Sequence, residues 1–153
     1  MSFEQIRNKV EALCPEILAG IGAFLVEVSV KHDGRGTLVR VLIDTDAGIT
    51  IDQCAHVSRE LGRLLETGSV LEGSYRLEVS SPGIDQPLKF LRQYGKNVGR
   101  RYTVKYRLEQ ETRSAVGTLE KVEGDQIHFR LESGDPLELT FDRIIEAKEI
   151  LPW

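Results

Sequence analysis

The chain has 153 residues, 41% of them hydrophobic and 29% charged, with a formal net charge of −4. A disordered chain would carry fewer apolar residues, and the length fits one ordinary domain or two very small ones. The acidic total argues against indiscriminate affinity for nucleic acid, and no apolar run reaches the ~20 residues needed to span a bilayer. Two cysteines, Cys14 and Cys54, form no CxxC pair, so no zinc site or redox motif is suggested; both are read as small buried hydrophobes. The N-terminus is polar and amphipathic rather than signal-like, so a cytoplasmic protein is expected.

Ser2 with Gln5 forms a capping-box pattern. Phe3, Ile6, Val10, Leu13 and Ile17 then recur at helical spacing, which predicts a helix over 3–18 ended by Ala19-Gly20-Ile21-Gly22. From Phe24 to Lys31, Phe24, Val26, Val28 and Val30 alternate with Leu25, Glu27, Ser29 and Lys31, as in a strand with one dry face. Asp33-Gly34-Arg35-Gly36 supplies a hairpin turn, and Thr37 to Asp44 is the returning strand. Asp44 to Gly48 has a passing likeness to a calcium loop. However, the glycine comes one place early and Ala55 stands where a bidentate Glu is needed, so a plain turn is expected. Thr50 with Gln53 is a second capping box, opening a helix over 51–66 on Cys54, Val57, Ser58, Leu61, Leu64 and Leu65, closed by Gly68. Tyr75 to Ser80 is a third strand. The order α-β-β-α-β describes a small sheet covered by two helices.

Ser80-Ser81-Pro82-Gly83 stops the sheet: Ser81 before proline avoids the helical region, and Pro82-Gly83 suits a type II turn. Asp85 before Pro87 reads as the N-cap of a short helix, with Leu88, Leu91 and Tyr94 on one side and Gly95 at its end. After Gly99 the period becomes two. Tyr102/Val104/Tyr106, Ala115/Gly117/Leu119, Ile127/Phe129/Leu131 and Leu137/Leu139/Phe141 mark four strands, with turns at Glu123-Gly124-Asp125 and Ser133 to Pro136. Asp142 to Ile145 suggests one helical turn before a last strand to Leu151. Five short strands at this spacing suggest a small closed barrel. The chain is thus α+β, with a domain at 1–83, a linker with a short helix at 84–95 and a barrel at 96–153.

Charge is unevenly placed. Residues 1–83 hold eight Lys/Arg and twelve Asp/Glu, whereas 84–153 hold twelve of each. Lys89, Arg92, Lys96, Arg100, Arg101, Lys105 and Arg107 form a run of seven cations with no acidic residue among them. Several cations facing phosphates release counterions and give salt-sensitive affinity. Lys89, Arg92 and Lys96 recur at i, i+3 and i+7 on one helical face. Tyr94 and Tyr102 are interleaved, as bases would need for stacking. The alternative is a solvated helix face and an edge strand guarded by basic residues. Lys89, Arg92, Lys96, Arg100, Arg101 and Lys105 are the candidate RNA-binding residues. Ser80, Ser81, Pro82, Gly83 and Asp85 form an interdomain motif that either sets the angle between the domains or presents N–H groups to an anion. His32, His56 and His128 lie apart, without partners at ligand spacing. No nucleophile-elbow pattern surrounds Ser80 and Ser81, so neither a catalytic site nor a metal is expected.

The string from Tyr75 to Leu88, Tyr-Arg-Leu-Glu-Val-Ser-Ser-Pro-Gly-Ile-Asp-Gln-Pro-Leu, closely resembles the signature of the RimP family of bacterial ribosome maturation factors. Leu25 to Val28, Val39 to Asp44, Gly48 to Cys54 and Ile144 to Ala147 resemble further parts of that family, so the likeness spans essentially the whole chain. The resemblance implies an N-terminal KH-like domain and a C-terminal SH3-like, Sm-type barrel. It also implies a non-enzymatic role in assembly of the small (30S) ribosomal subunit, by binding the free, unfinished particle; contact with ribosomal RNA and a ribosomal protein, as a monomer without cofactor or membrane, is the expectation built on it. The acidic residues Glu4, Glu11, Glu16, Glu60, Glu66 and Glu72 would suit a basic ribosomal protein. Gln86 stands where the family usually has Arg, and the Gly-x-x-Gly loop by which KH domains clamp RNA is absent. A protein–protein adaptor without RNA contact is the competing expectation.

Overall fold

A computed structural model describes residues 2–68, 74–82 and 86–150. The chain divides into two units, Met1–Pro82 and Gly83–Trp153.

The first unit runs α1 (Phe3–Ala19), β1 (Ala23–Asp33), β2 (Gly36–Thr45), α2 (Ile51–Thr67) and β3 (Tyr75–Ser80). Both capping boxes form. The Gln5 N–H donates to Ser2 Oγ at 3.2 Å and the Gln53 N–H to Thr50 Oγ1 at 3.1 Å, while the two glutamine side chains accept from the cap N–H groups at 2.9 Å. Each cap therefore satisfies two of the helix's otherwise orphaned donors. β1 and β2 pair antiparallel, and β3 adds parallel to β2. A single core unites Ile6, Val10, Cys14 and Leu18 of α1, Val57, Leu61 and Leu65 of α2, and Val28, Val39, Val41 and Ile43 of the sheet. Both helices therefore cover one face.

Two sequence expectations shift here. The buried stripe of α1 is Ile6/Val10/Cys14/Leu18, with Phe3 45% exposed, because the i+4 ridge rather than the i+3 one meets the sheet. In β1 the register slips between Leu25 and Glu27. An inserted residue reverses which side chains face inward, so Ala23, Leu25, Val28 and Val30 pack on the core, whereas Phe24 and Val26 do not join it. Ser80 ends β3 opposite Leu42, and Ser81 is exposed. Gly83 and Asp85, with the turn and cap expected of them, lie outside the described residues, as does Glu72.

The second unit has β4 (Arg101–Leu108), β5 (Glu111–Glu123), β6 (Gln126–Leu131), β7 (Pro136–Thr140) and β8 (Ile144–Glu149), in the antiparallel order β7-β6-β5-β4-β8. One 3₁₀ turn, Phe141–Arg143, leads into β8. The alternation read in the sequence puts Tyr102, Val104, Tyr106, Leu119, Ile127, Phe129, Leu139 and Ala147 into one core, joined by Tyr94.

Where a short helix was predicted over 88–95, the chain forms two 3₁₀ turns, Leu91–Gln93 and Gly95–Asn97. The cause is two buried polar side chains. Gln93 Oε1 accepts the N–H groups of Lys89 and Phe90, both at 2.8 Å, and Asn97 Nδ2 donates to the Gln93 carbonyl at 2.7 Å. Side-chain bonds of this kind replace the i−4 ladder.

Candidate nucleic-acid interface

The basic run begins on this pair of turns. Tyr94 is fully buried and meets Phe141 edge-on, with ring centroids 6.0 Å apart and an interplanar angle of 83°, the favoured geometry for aromatic pairs. Leu88 donates its N–H to Ala147 of β8 at 2.9 Å, which sets Lys89 beside that strand. Lys89 Nζ also lies 5.5 Å from the Phe90 ring centroid. Gly99, at φ +96°, turns the chain where a residue with Cβ would be strained. Its N–H donates to Leu119 at 2.7 Å, and the Leu119 N–H returns a bond to Arg100 at 2.9 Å. The turns are thereby fastened to β5 before β4 starts.

β4 then alternates cleanly. Tyr102, Val104 and Tyr106 point into the core, and Arg101, Thr103, Lys105 and Arg107 point to solvent. Across the β4·β8 ladder Lys148 stands opposite Thr103 and Glu146 opposite Lys105. Lys148 thus joins the same outer face as Arg101 and Lys105. Reading along the chain missed it, because it comes from a strand some forty residues away and only the ladder register brings it in.

Ion pairing divides the cations. Arg100 Nη1 lies 3.1 Å from Glu149 Oε1, and Arg101 pairs with Glu132. Elsewhere on the sheet Arg130 pairs with Glu120 at 2.9 Å, Arg113 with Glu111 at 3.0 Å, and Lys121 with Glu123. Lys105, Arg107 and Lys148 are exposed and form no ion pair among the described residues. Beside them a shallow groove of about 340 Å³ is lined by Thr103, Ser114, Val116, Leu131, Glu132 and Ser133.

The structure therefore revises the predicted site in two respects. Lys89, Arg92 and Lys96 do not share a helical face, since Lys89 precedes the first 3₁₀ turn and Arg92 and Lys96 lie in separate turns. Tyr94 and Tyr102, 0% and 1% exposed, offer no face to a base. Burial also raises both phenols above the ordinary tyrosine range, so they stay neutral. What remains is a cationic outer face on β4 and β8, with Lys89, Arg92, Lys96 and Arg100 on the adjoining turns.

On the first unit, a second groove of about 430 Å³ is lined by Glu16, Ile17, His56, Glu60, Arg63 and Leu64, on α1 and α2. Arg63 bonds Glu60 at 3.0 Å, and that bond holds the Glu60 carboxyl below its usual range. Among the described residues no three His, Cys, Asp or Glu side chains are grouped to hold a metal ion, and no helix is long and apolar enough to cross a membrane. Residues 13–85 match the family model of the RimP N-terminal domain.

Proposed function

The chain belongs to the RimP family of ribosome maturation factors, and from that premise we propose that it binds the free, immature small ribosomal subunit and assists its assembly. It acts by binding rather than catalysis, as a cytoplasmic monomer without cofactor. Its first unit is read as KH-like, which the α-β-β-α-β order and the parallel β2·β3 pairing support. Its second unit is read as a small SH3-like barrel of the Sm type. A four-strand meander, a 3₁₀ turn and a last strand that returns to pair with the first support that reading.

The observation that carries the proposal is the row of exposed cations at Lys105, Arg107 and Lys148 on one sheet face, none of which forms an ion pair among the described residues, with Glu146 opposite Lys105 as the one facing acid in the β4·β8 register. A flat lattice of cations with hydroxyls beside it matches a phosphodiester backbone, and each cation–phosphate contact releases counterions. It needs no stacked bases, which accords with the burial of Tyr94 and Tyr102. Lys105→Glu combined with Arg107→Glu is expected to weaken binding to purified immature small subunits at least about tenfold, with an unchanged circular dichroism spectrum. Unchanged binding would move the RNA contact elsewhere.

One observation favours the adaptor reading, in which only protein is contacted. The α1/α2 groove is lined by the apolar Ile17 and Leu64 and by the carboxylates of Glu16 and Glu60, the latter paired with Arg63, and a basic peptide would suit its two acids. If that contact alone binds, Glu16→Lys with Glu60→Lys abolishes subunit binding and the β4 variant leaves it intact.

A further inference from the structure

Seven cations in sequence are not seven available cations in the fold. Arg100 and Arg101 are the only adjacent basic pair in the run, and each is met by an acid from a distant part of the same unit. Glu149 closes β8, and its side chain is 15% exposed; Glu132 sits in the β6–β7 turn, 64% exposed, lining the groove beside β4. The Ile150 N–H donates to the Arg101 carbonyl at 2.8 Å and the Glu132 N–H to the Val116 carbonyl at 3.3 Å, so the backbone already fixes both segments. The carboxylates are spent on the arginines instead.

Resting on the RNA-binding reading above, we infer that Glu132 and Glu149 are specificity-determining residues. They neutralise Arg101 and Arg100 against arbitrary polyanions and leave the binding of the intended partner to the rest of the cationic face. The physical argument is one of competition. A stray single strand touching one or two cations must break an ion pair for each arginine it gains, and the exchange is close to even, since exposed pairs are weak. A shaped RNA surface that meets Lys105, Arg107 and Lys148 together already has its binding energy from cations that carry no partner. It therefore needs neither arginine, and neither ion pair has to break. The acids thus lower background binding more than they lower binding to the intended partner. Glu132 has a second effect: it also lines the groove, where its negative charge disfavours a phosphate.

The test compares wild type with Glu132→Gln, Glu149→Gln and the double variant, each checked by circular dichroism and thermal melting. Affinity is measured across a salt series for a poly(U) oligonucleotide and for immature small subunits. The inference predicts that the double variant binds poly(U) about five- to tenfold more tightly, with a log–log salt slope steeper by one to two, roughly one per freed arginine. Affinity for subunits changes less than about threefold, so selectivity falls. Should the part-buried Glu149→Gln fail to fold, Glu132→Gln alone carries the prediction at about half the effect, and Glu132→Asp, which keeps the charge, should restore wild-type poly(U) binding. Unchanged poly(U) affinity and slope in a folded Glu132→Gln overturns the inference while leaving the parent reading in place. Wild-type subunit binding that ignores both salt and the Lys105→Glu/Arg107→Glu change overturns the parent reading, and this one with it.

Discussion

Tyr94 carries a hydroxyl with no hydrogen-bond partner among the described residues, inside a core that buries it completely. A buried polar group without a partner costs stability, so Tyr94→Phe is expected to leave stability unchanged or raise it by up to about 1 kcal/mol. Urea denaturation checks this, and a loss of more than about 1 kcal/mol would contradict it. Subunit affinity should not move. Cys14, fully buried on α1, makes a second residue-scale prediction. Burial, with Glu11 nearby, raises its thiol from 9.0 to about 11. Below pH 9 the thiol is protonated in folded and unfolded chains alike. Between 9 and about 11 the unfolded chain sheds the proton first, so the stability contribution is lost as pH rises through that window. Cys14→Ala should therefore show a shallower alkaline decline in stability than wild type; an identical decline would contradict the assignment. That Cys14 is interior was legible from its place in an apolar stripe. The fate of Tyr94 was not, because in a run of cations an aromatic side chain suits a base platform and a core anchor equally well until its neighbours are known.

At the scale of elements, the helix starts were the most legible features. Ser2/Gln5 and Thr50/Gln53 are local patterns whose geometry depends on four consecutive residues, and both boxes form as read. Thr50→Ala removes the acceptor for the Gln53 N–H and should cost about 1 kcal/mol. Thermal denaturation of the variant checks it, with Thr50→Ser expected to recover most of the loss. The strands of the second unit were legible for a similar reason, since period-two alternation needs no distant information. Two features were not. The bulge in β1 inserts a residue without any Gly or Pro to mark it, so alternation counted from Phe24 reports the wrong face before Glu27. The turns at 91–97 carry helical spacing, but the decisive bonds come from Gln93 and Asn97 folding inward, and polar residues in a basic run give no sign of burial. Lys148 illustrates the same limit at the site, since its membership is a property of the β4·β8 register and of no local pattern.

For the whole molecule, the division of charge matters more than its total. The −4 of the chain conceals a second unit with equal numbers of acids and bases, and ion pairing across its sheet sorts those bases further. On the outer face of β4 and β8, Lys105, Arg107 and Lys148 form no ion pair among the described residues. A few cations without ion pairs give an affinity that several phosphates together sustain. The most direct test of this account is the affinity of the intact protein for immature small subunits measured from low to physiological salt. The account predicts a linear fall of log K with log salt, with a slope of about −2 to −4 for three or more phosphate contacts, lowered in magnitude by Lys105→Glu/Arg107→Glu. A flat salt dependence would contradict it.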